Sequence, residues 1–156
     1  MSEPKDAAAR FEERAKAVGL KVTVRRMKES TRTAEEAAQA CGCGVGQIVK
    51  SLVFRGKQSG EPYLLLVSGS NRVNEMGVAK VIGEALTRPD ADYVREVTGY
   101  SIGGIPPLGH DTPLKTFIDR ALTQYDIVWA AAGMPVAVFP VEPRQLAAAT
   151  KAEVID

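Results

Sequence analysis

Hydrophobic residues recur with two different periods along this chain, and the two periods predict helices and strands in the same molecule. Near the start, Ala8, Phe11, Ala15 and Val18 follow the spacing of one face of a helix. Later segments show the same spacing or the residues that begin and end helices. Helices are predicted at 4–18, from Thr33 to about 42, at 75–83, from Pro89 to about 99 and at 143–149, with a short helical turn at 45–49.

Apolar runs with the character of strands lie between these helices. Segments 51–55 and 63–68 are joined by a turn rich in Gly and Pro, which predicts a β-hairpin. Segments 127–132 and 136–139 are apolar without interruption, which is typical of buried strands. Further strands are predicted at 21–27, 114–118 and 154–155.

The order of these elements predicts the fold class. Strands and helices are mixed without strict alternation, which favours an α+β fold with a mixed sheet and peripheral helices. The 156 residues are 45% hydrophobic and 25% charged, as in ordinary globular domains, and they contain no repeat, low-complexity tract or linker. We therefore expect a single domain over residues 1–156.

Two features of composition bear on location and partners. No apolar run approaches the roughly 20 residues that cross a bilayer, and the first residues lack the apolar stretch of a secretory signal. We therefore expect a cytoplasmic protein. The net charge is +1, but residues 1–57 hold twelve Lys and Arg against seven Asp and Glu. A basic face that meets phosphates and an ordinary solvated face both fit this asymmetry.

Several common catalytic patterns are absent from the sequence. His110 is the single histidine, and there is no G-x-S-x-G elbow, H-E-x-x-H motif, phosphate-binding loop or dinucleotide fingerprint. Cys41 and Cys43 lie one residue apart, and no second Cys or His pair would complete a metal site. We expect neither a metal nor a cofactor.

The segment 98–110 is the most informative stretch, because it combines four glycines, two adjacent prolines and His110. Such a segment cannot form a helix or a central strand, and it is either a structural turn or a binding loop. His110 either contacts a ligand or is a turn residue bonded to the backbone. Upstream, Lys50 lies between the apolar residues Val49 and Leu52, so its ammonium group either reaches solvent at a strand start or enters a pocket.

Four groups of residues, in this order along the chain, resemble the YbaK/EbsC family of aminoacyl-tRNA editing domains. They are TAEEAA at 33–38, QIVKSL at 47–52, TGYSIGGIPP at 98–107 and VWAAAG at 128–133. This family is related to the insertion domain of bacterial prolyl-tRNA synthetase. The PPLGH ending at 106–110 is similar to the free-standing ProXp-type trans-editing branch. The resemblance implies the editing-domain fold, a twisted and barrel-like mixed sheet with a pocket for the aminoacylated 3′ acceptor end of tRNA.

The resemblance also implies roles for particular residues. Lys50 and Gly103 match the catalytic positions of the family. A substrate-binding set is formed by the glycine loop and by the small residues at the end of a strand. This set consists of Gly104, Ile105, Pro107, His110, Ala131, Ala132 and Gly133. Some members carry a serine near position 131, whereas this chain has an alanine there.

The activity that the resemblance implies is hydrolysis, in trans and without metal, of a mischarged aminoacyl-tRNA. The expected substrate is tRNA(Pro) carrying alanine, cysteine or 2-aminobutyrate, and either water or a substrate thiol attacks the ester. Prolyl-tRNA synthetase is a further expected partner, whereas DNA and membranes are not. Three apolar residues, Ile105, Leu108 and Met134, are expected either to limit the size of the amino acid or to pack in the ordinary core. The alternative is a non-catalytic module of the same fold that holds tRNA ends or a synthetase surface.

Overall fold

The computed structural model describes residues 6–31 and 33–155. The helix at Ala34–Cys41, α2, illustrates how the sequence determines where a helix begins and ends. Thr33 Oγ1 accepts a bond from the Glu36 N–H at 3.1 Å, the Glu36 carboxylate accepts one from the Thr33 N–H, and Gly42 ends the helix in the left-handed conformation. The α-helices of the described residues are α1 (Ala7–Ala17), α2 (Ala34–Cys41), α3 (Glu75–Ile82), α4 (Ala91–Thr98) and α5 (Pro143–Thr150).

Eight strands form one mixed sheet in the described part of the chain. They are β1 (Arg25–Arg26), β2 (Ile48–Gly56), β3 (Pro62–Ser68), β4 (Leu86–Thr87), β5 (Lys115–Asp119), β6 (Val128–Ala131), β7 (Ala137–Val141) and β8 (Glu153–Ile155). The strand order is β1-β7-β6-β2-β3-β5-β8, with β4 paired to β2. Short 3-10 helices at Val45–Gln47 and Arg120–Gln124 complete the elements. Since β1 and β8 end this order, the sheet is open and not a closed barrel.

β2 pairs with three other strands of the sheet. It pairs antiparallel with β3 over the whole register from Val49 opposite Ser68 to Arg55 opposite Pro62. On its other side it pairs parallel with β6 at Ile48 and Val49, and antiparallel with β4 only from Arg55 onwards. Between those two contacts, one edge of β2 has no neighbouring strand in the described chain.

Side chains on β3 alternate between two hydrophobic cores, one on each face of the sheet. Leu64 and Leu66 are buried in the larger core, together with α1, α5 and the loop after α4. Leu65 and Val67 are buried in the smaller core, which α3 covers with Val78. Both faces of the sheet are therefore covered, which explains why the central strands are apolar without interruption.

The predicted fold class, α+β with a mixed sheet and peripheral helices, is confirmed, and most predicted elements are present. The prediction of a strand over 21–27 was too long, because only Arg25 and Arg26 pair with β7. Val22 and Val24 pack against the larger core without sheet pairing, which produces a strand-like pattern outside a strand. β4 was missed because two residues are too few to show a period. No helix among the described residues is long and apolar enough to cross a membrane.

Candidate active site

A cavity of about 600 Å³ lies where the free edge of β2 faces the loop after α4 and the end of β6. Its volume falls within the range of about 300–1,000 Å³ that is usual for small-molecule sites. β2 contributes its run from Ile48 to Phe54, and the loop contributes Ile102, Gly103 and Ile105. Among the described residues that line it there is no Asp, Glu, His or Cys, so its charged side chains are the cations Lys50 and Arg88.

Lys50 is half-buried in the middle of β2 and lines this cavity. Its Nζ donates a hydrogen bond of 2.5 Å to the backbone oxygen of Asn71. The Asn71 side chain in turn donates to the Asp119 carboxylate at 3.0 Å, which fixes the position of that carbonyl. Because an ammonium group carries three N–H donors, the bond to Asn71 leaves Lys50 with donors for a bound anion or hydroxyl.

Gly103 lines the same cavity and has a φ of 99°, in the left-handed region that favours glycine. The next residue, Gly104, is buried and closes a turn by donating its N–H to the Ser101 oxygen at 3.1 Å. A Cβ on Gly104 would lie 2.8 Å from the Met134 backbone, so only glycine fits there. Gly104 thus holds the loop against the β6–β7 turn, while Gly103 and Ile105 face the cavity.

α1 fastens this loop at both of its ends. Arg10 donates to the Gly99 oxygen at 2.5 Å, and its guanidinium group stacks 4.7 Å from the centre of the Tyr100 ring. One turn further, Arg14 donates to the Gly109 oxygen at 2.8 Å. The hydroxyl of Tyr100 donates to the same oxygen of Gly109 at 3.1 Å. The position of Gly103 therefore depends on a helix that begins about ninety residues earlier in the chain.

Pro107 and His110 do not lie beside Lys50. Both line a second cavity of about 610 Å³, between α1, the loop and the end of α5. His110 is hydrogen-bonded through Nε2 to the Pro106 oxygen at 2.7 Å. Burial lowers the pKa of His110, so the neutral ring is favoured. This geometry matches the turn residue bonded to the backbone, the second of the two roles considered for His110.

The small residues at the end of β6 are also not all placed in the first cavity. Ala131 lines the first cavity, whereas Ala132 and Gly133 are buried and line neither cavity. Ala132 donates its N–H to the Ala137 oxygen at 2.9 Å and so closes the β6–β7 turn. Gly133 has a φ of 100°, and a Cβ on it would lie 2.8 Å from the Ala7 oxygen. These two residues support the wall that Ala131 presents.

The three residues expected to limit the size of the amino acid are also separated. Ile105 lines the first cavity, and Leu108 lines the second. Met134 lines neither and instead lies beside the loop, where its sulphur accepts a weak bond from Arg26 at 3.5 Å. Only Ile105 is therefore placed to contact an occupant of the first cavity.

Ser51, Trp129 and Arg88 are among the lining residues that were not predicted as site residues. Ser51 and Trp129 belong to the motifs that carry the family resemblance, but their side chains received no role. Arg88 lies at the cavity rim, 5.6 Å from the centre of the Phe54 ring and 3.5 Å from the Glu75 carboxylate. A serine between Val49 and Val53 on an apolar strand face is a signal that could have been used, whereas nothing near Arg88 in the sequence indicates its place.

The basic residues of the first part of the chain, for which a phosphate-binding face and a solvated face were both considered, lie only partly near the cavity. Arg25 stacks over the Trp129 ring, 5.0 Å from its centre, and so adds positive charge beside the cavity wall. Arg26 is paired with Asp6 at 2.8 Å, and Arg55 stacks on Tyr93 away from the cavity. Arg32 lies outside the described residues. Within the part of the chain that the structure describes, the positive charge near the cavity thus comes from Lys50, Arg88 and Arg25.

Cys41 and Cys43 are free and half-buried. Burial raises the pKa of the Cys41 thiol to about 11 and also raises that of Cys43. Neither residue lines either cavity. The thiols are therefore protonated near neutral pH and lie outside the site.

The protein is thus an α+β domain in which an open mixed sheet and a glycine loop enclose a basic cavity. Comparison with known proteins gives its family. The aminoacyl-tRNA editing domain family matches residues 28–149, most of the chain. The chain belongs to this family, which confirms the predicted YbaK/EbsC membership.

Named relatives agree with this assignment. A crystal structure described as a candidate trans-editing enzyme for prolyl-tRNA synthetase is 45% identical, with a TM-score of 0.92 over 99% of this chain and 98% of the other. EbsC of Enterococcus faecalis, named as a candidate Cys-tRNA(Pro)/Cys-tRNA(Cys) deacylase, is 29% identical over 67% of this chain and 64% of its own length. The proline–tRNA ligase of Limosilactobacillus fermentum is 33% identical over 58% of this chain but only 16% of the ligase. The predicted class, an editing hydrolase, is therefore confirmed by the family and by its named members.

Proposed function

We propose that this protein removes a small, wrongly attached amino acid from tRNA(Pro) by hydrolysing the ester bond at the 3′ end. The observation that carries this proposal is that Lys50 and Gly103, from distant parts of the chain, line one cavity. The names of EbsC and of the trans-editing structure support the substrate class. Alanine, cysteine and 2-aminobutyrate are the proposed amino acids. The fit of such small side chains is supported by Ile105, Val94 and Ala131 in the apolar part of the lining.

Editing of small amino acids has a clear energetic basis. A binding pocket gains only about 1–3 kcal/mol per methylene, so a synthetase that accepts proline also accepts smaller amino acids at a low rate. A second site that admits only the smaller residue removes the error. The proposed site would do so by excluding the proline ring from the space beside Ile105.

Lys50 is proposed to bind the terminal phosphate or ribose of the tRNA. Its one hydrogen bond to the Asn71 oxygen fixes the side chain while leaving donors free. An ammonium group is a compact positive charge that suits a phosphate oxygen. Arg88 at the rim would add to the attraction for the phosphate backbone.

The glycine loop is proposed to stabilise the oxygen of the ester carbonyl as negative charge develops on it. The Gly104 N–H is already bonded to Ser101, so the candidate donors are the N–H groups of Gly103 and Ile105. Removal of one such donor typically lowers a rate by about 10²–10³-fold. Pro107, His110, Ala132 and Gly133 hold this arrangement from outside the cavity and are proposed as supporting residues.

The attacking group is proposed to be water, or the thiol of the substrate when cysteine is attached. The aminoacyl ester is already reactive, so a correctly placed water and a stabilised oxyanion suffice. The two routes differ in their prediction for alanine. If alanyl-tRNA(Pro) is cleaved as fast as the cysteinyl form, water attacks; cleavage of the cysteinyl form alone indicates the thiol.

The proposed partners follow from this reaction. The 3′ acceptor end of tRNA enters the cavity, and prolyl-tRNA synthetase, which produces the mischarged tRNA, is a proposed transient partner. The proposed location is the cytoplasm, where these molecules meet. A non-catalytic module that only holds the tRNA end remains the competing function, because Ala131 supplies no hydroxyl to the cavity.

The experiment that separates these functions uses purified protein with labelled alanyl-, cysteinyl- and 2-aminobutyryl-tRNA(Pro), and prolyl-tRNA(Pro) as the control. We expect release of the three small amino acids and retention of proline. Release no faster than uncatalysed hydrolysis for all three would reject the proposal. Retention of intact aminoacyl-tRNA on a filter would then identify the binding module.

A further inference from the structure

The open edge of β2 carries an inference that rests on the proposed function and adds a basis for its specificity. Sheet pairing on this side of β2 ends at Val49, opposite Ala130 of β6, and resumes at Arg55, opposite Thr87 of β4. The residues between these points line the first cavity. The cavity is therefore a gap in the sheet, bounded on one side by strand backbone.

Alternation along β2 identifies which backbone groups face this gap. The Ile48 oxygen accepts from Gly69, just beyond β3, and the Gly56 N–H donates to the Glu61 oxygen, just before it. Even-numbered residues of β2 therefore direct their N–H and C=O groups towards β3, since the register has no interruption. Odd-numbered residues direct theirs the other way, as the bond from Thr87 Oγ1 to the Arg55 oxygen shows.

The groups left facing the cavity are those of Ser51 and Val53. Each residue presents one N–H and one C=O there, in the repeating pattern with which a strand receives a neighbour. The Ser51 side chain adds a third kind of group. Its Oγ is buried, lies in a residue that lines the cavity, and has no hydrogen-bond partner among the described residues.

A buried hydroxyl without a partner is unfavourable in the empty protein. Ser68, on the neighbouring strand, shows the usual situation, because its buried hydroxyl donates to the Gly46 oxygen at 2.7 Å. The open strand edge and the unpartnered Ser51 Oγ together form a polar strip on one wall of the cavity. Such a surface is matched by a ligand that offers an N–H donor and a carbonyl acceptor at the spacing of one residue.

An aminoacyl ester offers this pair of groups, its α-amino N–H and its ester carbonyl. We infer that the aminoacyl group binds as one added residue along the Ser51–Val53 edge of β2. Its amino group donates to a strand carbonyl and to Ser51 Oγ. The protein therefore recognises an unsubstituted α-amino group as well as a small side chain.

Binding of the amino group at the strand edge gives a second reason why proline would be rejected. In proline the ring carbon takes the place of one hydrogen on the nitrogen and lies against the strand edge. Proline differs from alanine both in the size of its side chain and in the substitution of its nitrogen. Another amino acid is therefore needed to separate these two effects. N-methylalanine and 2-aminobutyrate are isomers, and they differ in whether the extra methyl group is on the nitrogen or on the side chain.

The test compares N-methylalanyl-tRNA(Pro) with 2-aminobutyryl-tRNA(Pro), each rate divided by its own uncatalysed hydrolysis. We expect kcat/KM to be at least about tenfold lower for the N-methylalanyl form, because a site that pairs two N–H groups of the ligand rejects an analogue in which one of them is replaced by a methyl group. Equal rates for the two isomers would overturn the inference while leaving the proposed deacylase intact. Absence of hydrolysis for 2-aminobutyryl-tRNA(Pro) and for alanyl-tRNA(Pro) would overturn the inference, and absence of hydrolysis for cysteinyl-tRNA(Pro) as well would also reject the proposed deacylase.

A pair of serine variants gives the matched control. Ser51→Ala should lower kcat/KM for 2-aminobutyryl-tRNA(Pro) by about tenfold and reduce the preference over the N-methylalanyl form, with the melting temperature unchanged or raised. Ser68→Ala should lower the melting temperature and preserve that preference, because it removes a hydroxyl that is already bonded inside the protein. Wild-type kcat/KM and wild-type preference in Ser51→Ala would contradict the inference.

Discussion

The two halves of the loop between α4 and β5 have similar composition but different surroundings. In the first half, Ile102 is 55% exposed, and Gly103 lines the cavity that contains Lys50. In the second half, Pro106, Pro107 and Leu108 are buried and the Gly109 oxygen accepts two side-chain hydrogen bonds. The stretch around Ile102 and Gly103 is therefore available to a ligand, whereas Gly99 and Tyr100 before it and residues 106–110 after it anchor the loop to α1 and the core.

This difference shows that a motif recognised as a unit can contain two kinds of residue. Gly103 lines the cavity in the left-handed conformation, whereas glycine at 104 and 109 allows close packing. His110 belongs to the anchoring half through its bond to the Pro106 oxygen. The comparison predicts that changes in the first half lower activity, and that changes in the second half lower stability.

The largest effect is expected for Gly103→Ala. Its φ of 99° costs an L-residue about 1–2 kcal/mol, and relaxation of that strain would turn the neighbouring amides away from the cavity. We expect deacylation to fall by about 10²-fold. Gly83→Ala is the matched control, because Gly83 has a φ of 97° and open space around it, far along the chain from the loop. Single-turnover rates of equal size in the two variants would remove Gly103 from the site.

The next largest effect is expected for Lys50→Met, which keeps an unbranched side chain only one atom shorter and removes its charge. We expect kcat/KM to fall at least about tenfold, through the loss of a charge-assisted contact with the substrate, with little change in melting temperature. Lys57→Met at the exposed end of the hairpin is the control and should behave as wild type. Activity within twofold of wild type, where about tenfold loss is expected, would show that Lys50 is not part of the site.

A smaller effect on activity, with a clear effect on stability, is expected for Arg10→Gln and Arg14→Gln. Each removes a charged donor from a loop carbonyl, which typically costs about 1.5–3 kcal/mol, discounted here because both side chains are partly exposed. We expect a lower melting temperature and a loss of deacylation of only a few-fold. Lys16→Gln on the exposed face of α1 controls for the change of charge. Loss of all activity at unchanged melting temperature would indicate that these arginines contact the substrate.

The smallest effect on activity is expected for His110→Gln. This variant should instead change how the stability of the protein depends on pH. Burial lowers the pKa of His110, and the nearby Arg14 lowers it further, while the Pro106 oxygen and Asp111 oppose this. The unfolded chain therefore binds a proton at a higher pH than the folded chain. The stability that the neutral histidine provides is present above the ordinary pKa of about 6.5 and is lost as the pH falls below it.

We therefore expect the wild-type melting temperature to fall between pH 7 and pH 5 more steeply than that of His110→Gln. Calorimetry across this range measures the difference, and deacylation is followed at pH 7.5. Parallel stability profiles would contradict the buried, neutral histidine. A large loss of activity at pH 7.5 in a stable variant would instead favour the predicted contact with substrate.

The sequence was sufficient for those parts of the molecule that depend on local pattern. The capping box at Thr33, the hairpin of β2 and β3 and the buried strands β6 and β7 each follow from a few neighbouring residues. The family followed from motifs in a fixed order, and with it the pair Lys50 and Gly103. What the motifs could not distinguish is which glycine faces a cavity and which packs against backbone.

The remaining features depend on contacts between distant segments. Arg88 reaches the cavity rim because the segment after β4 passes Phe54, and no local pattern reports that contact. The role of α1 as an anchor depends on carbonyl groups of Gly99 and Gly109, which are invisible in side-chain patterns. The gap in the sheet beside Ser51 exists because β6 and β4 pair with different ends of β2.

The central claim is that the substrate occupies the cavity beside Lys50 and not the cavity beside His110. Titration of the ¹⁵N-labelled protein with a non-hydrolysable alanyl-adenosine, in which an amide replaces the ester, tests this claim directly. We predict amide shift changes at Ser51, Val53, Gly103 and Ile105, on both sides of the first cavity. Changes confined to residues 107–116 and 149–151, around the second cavity, would contradict it.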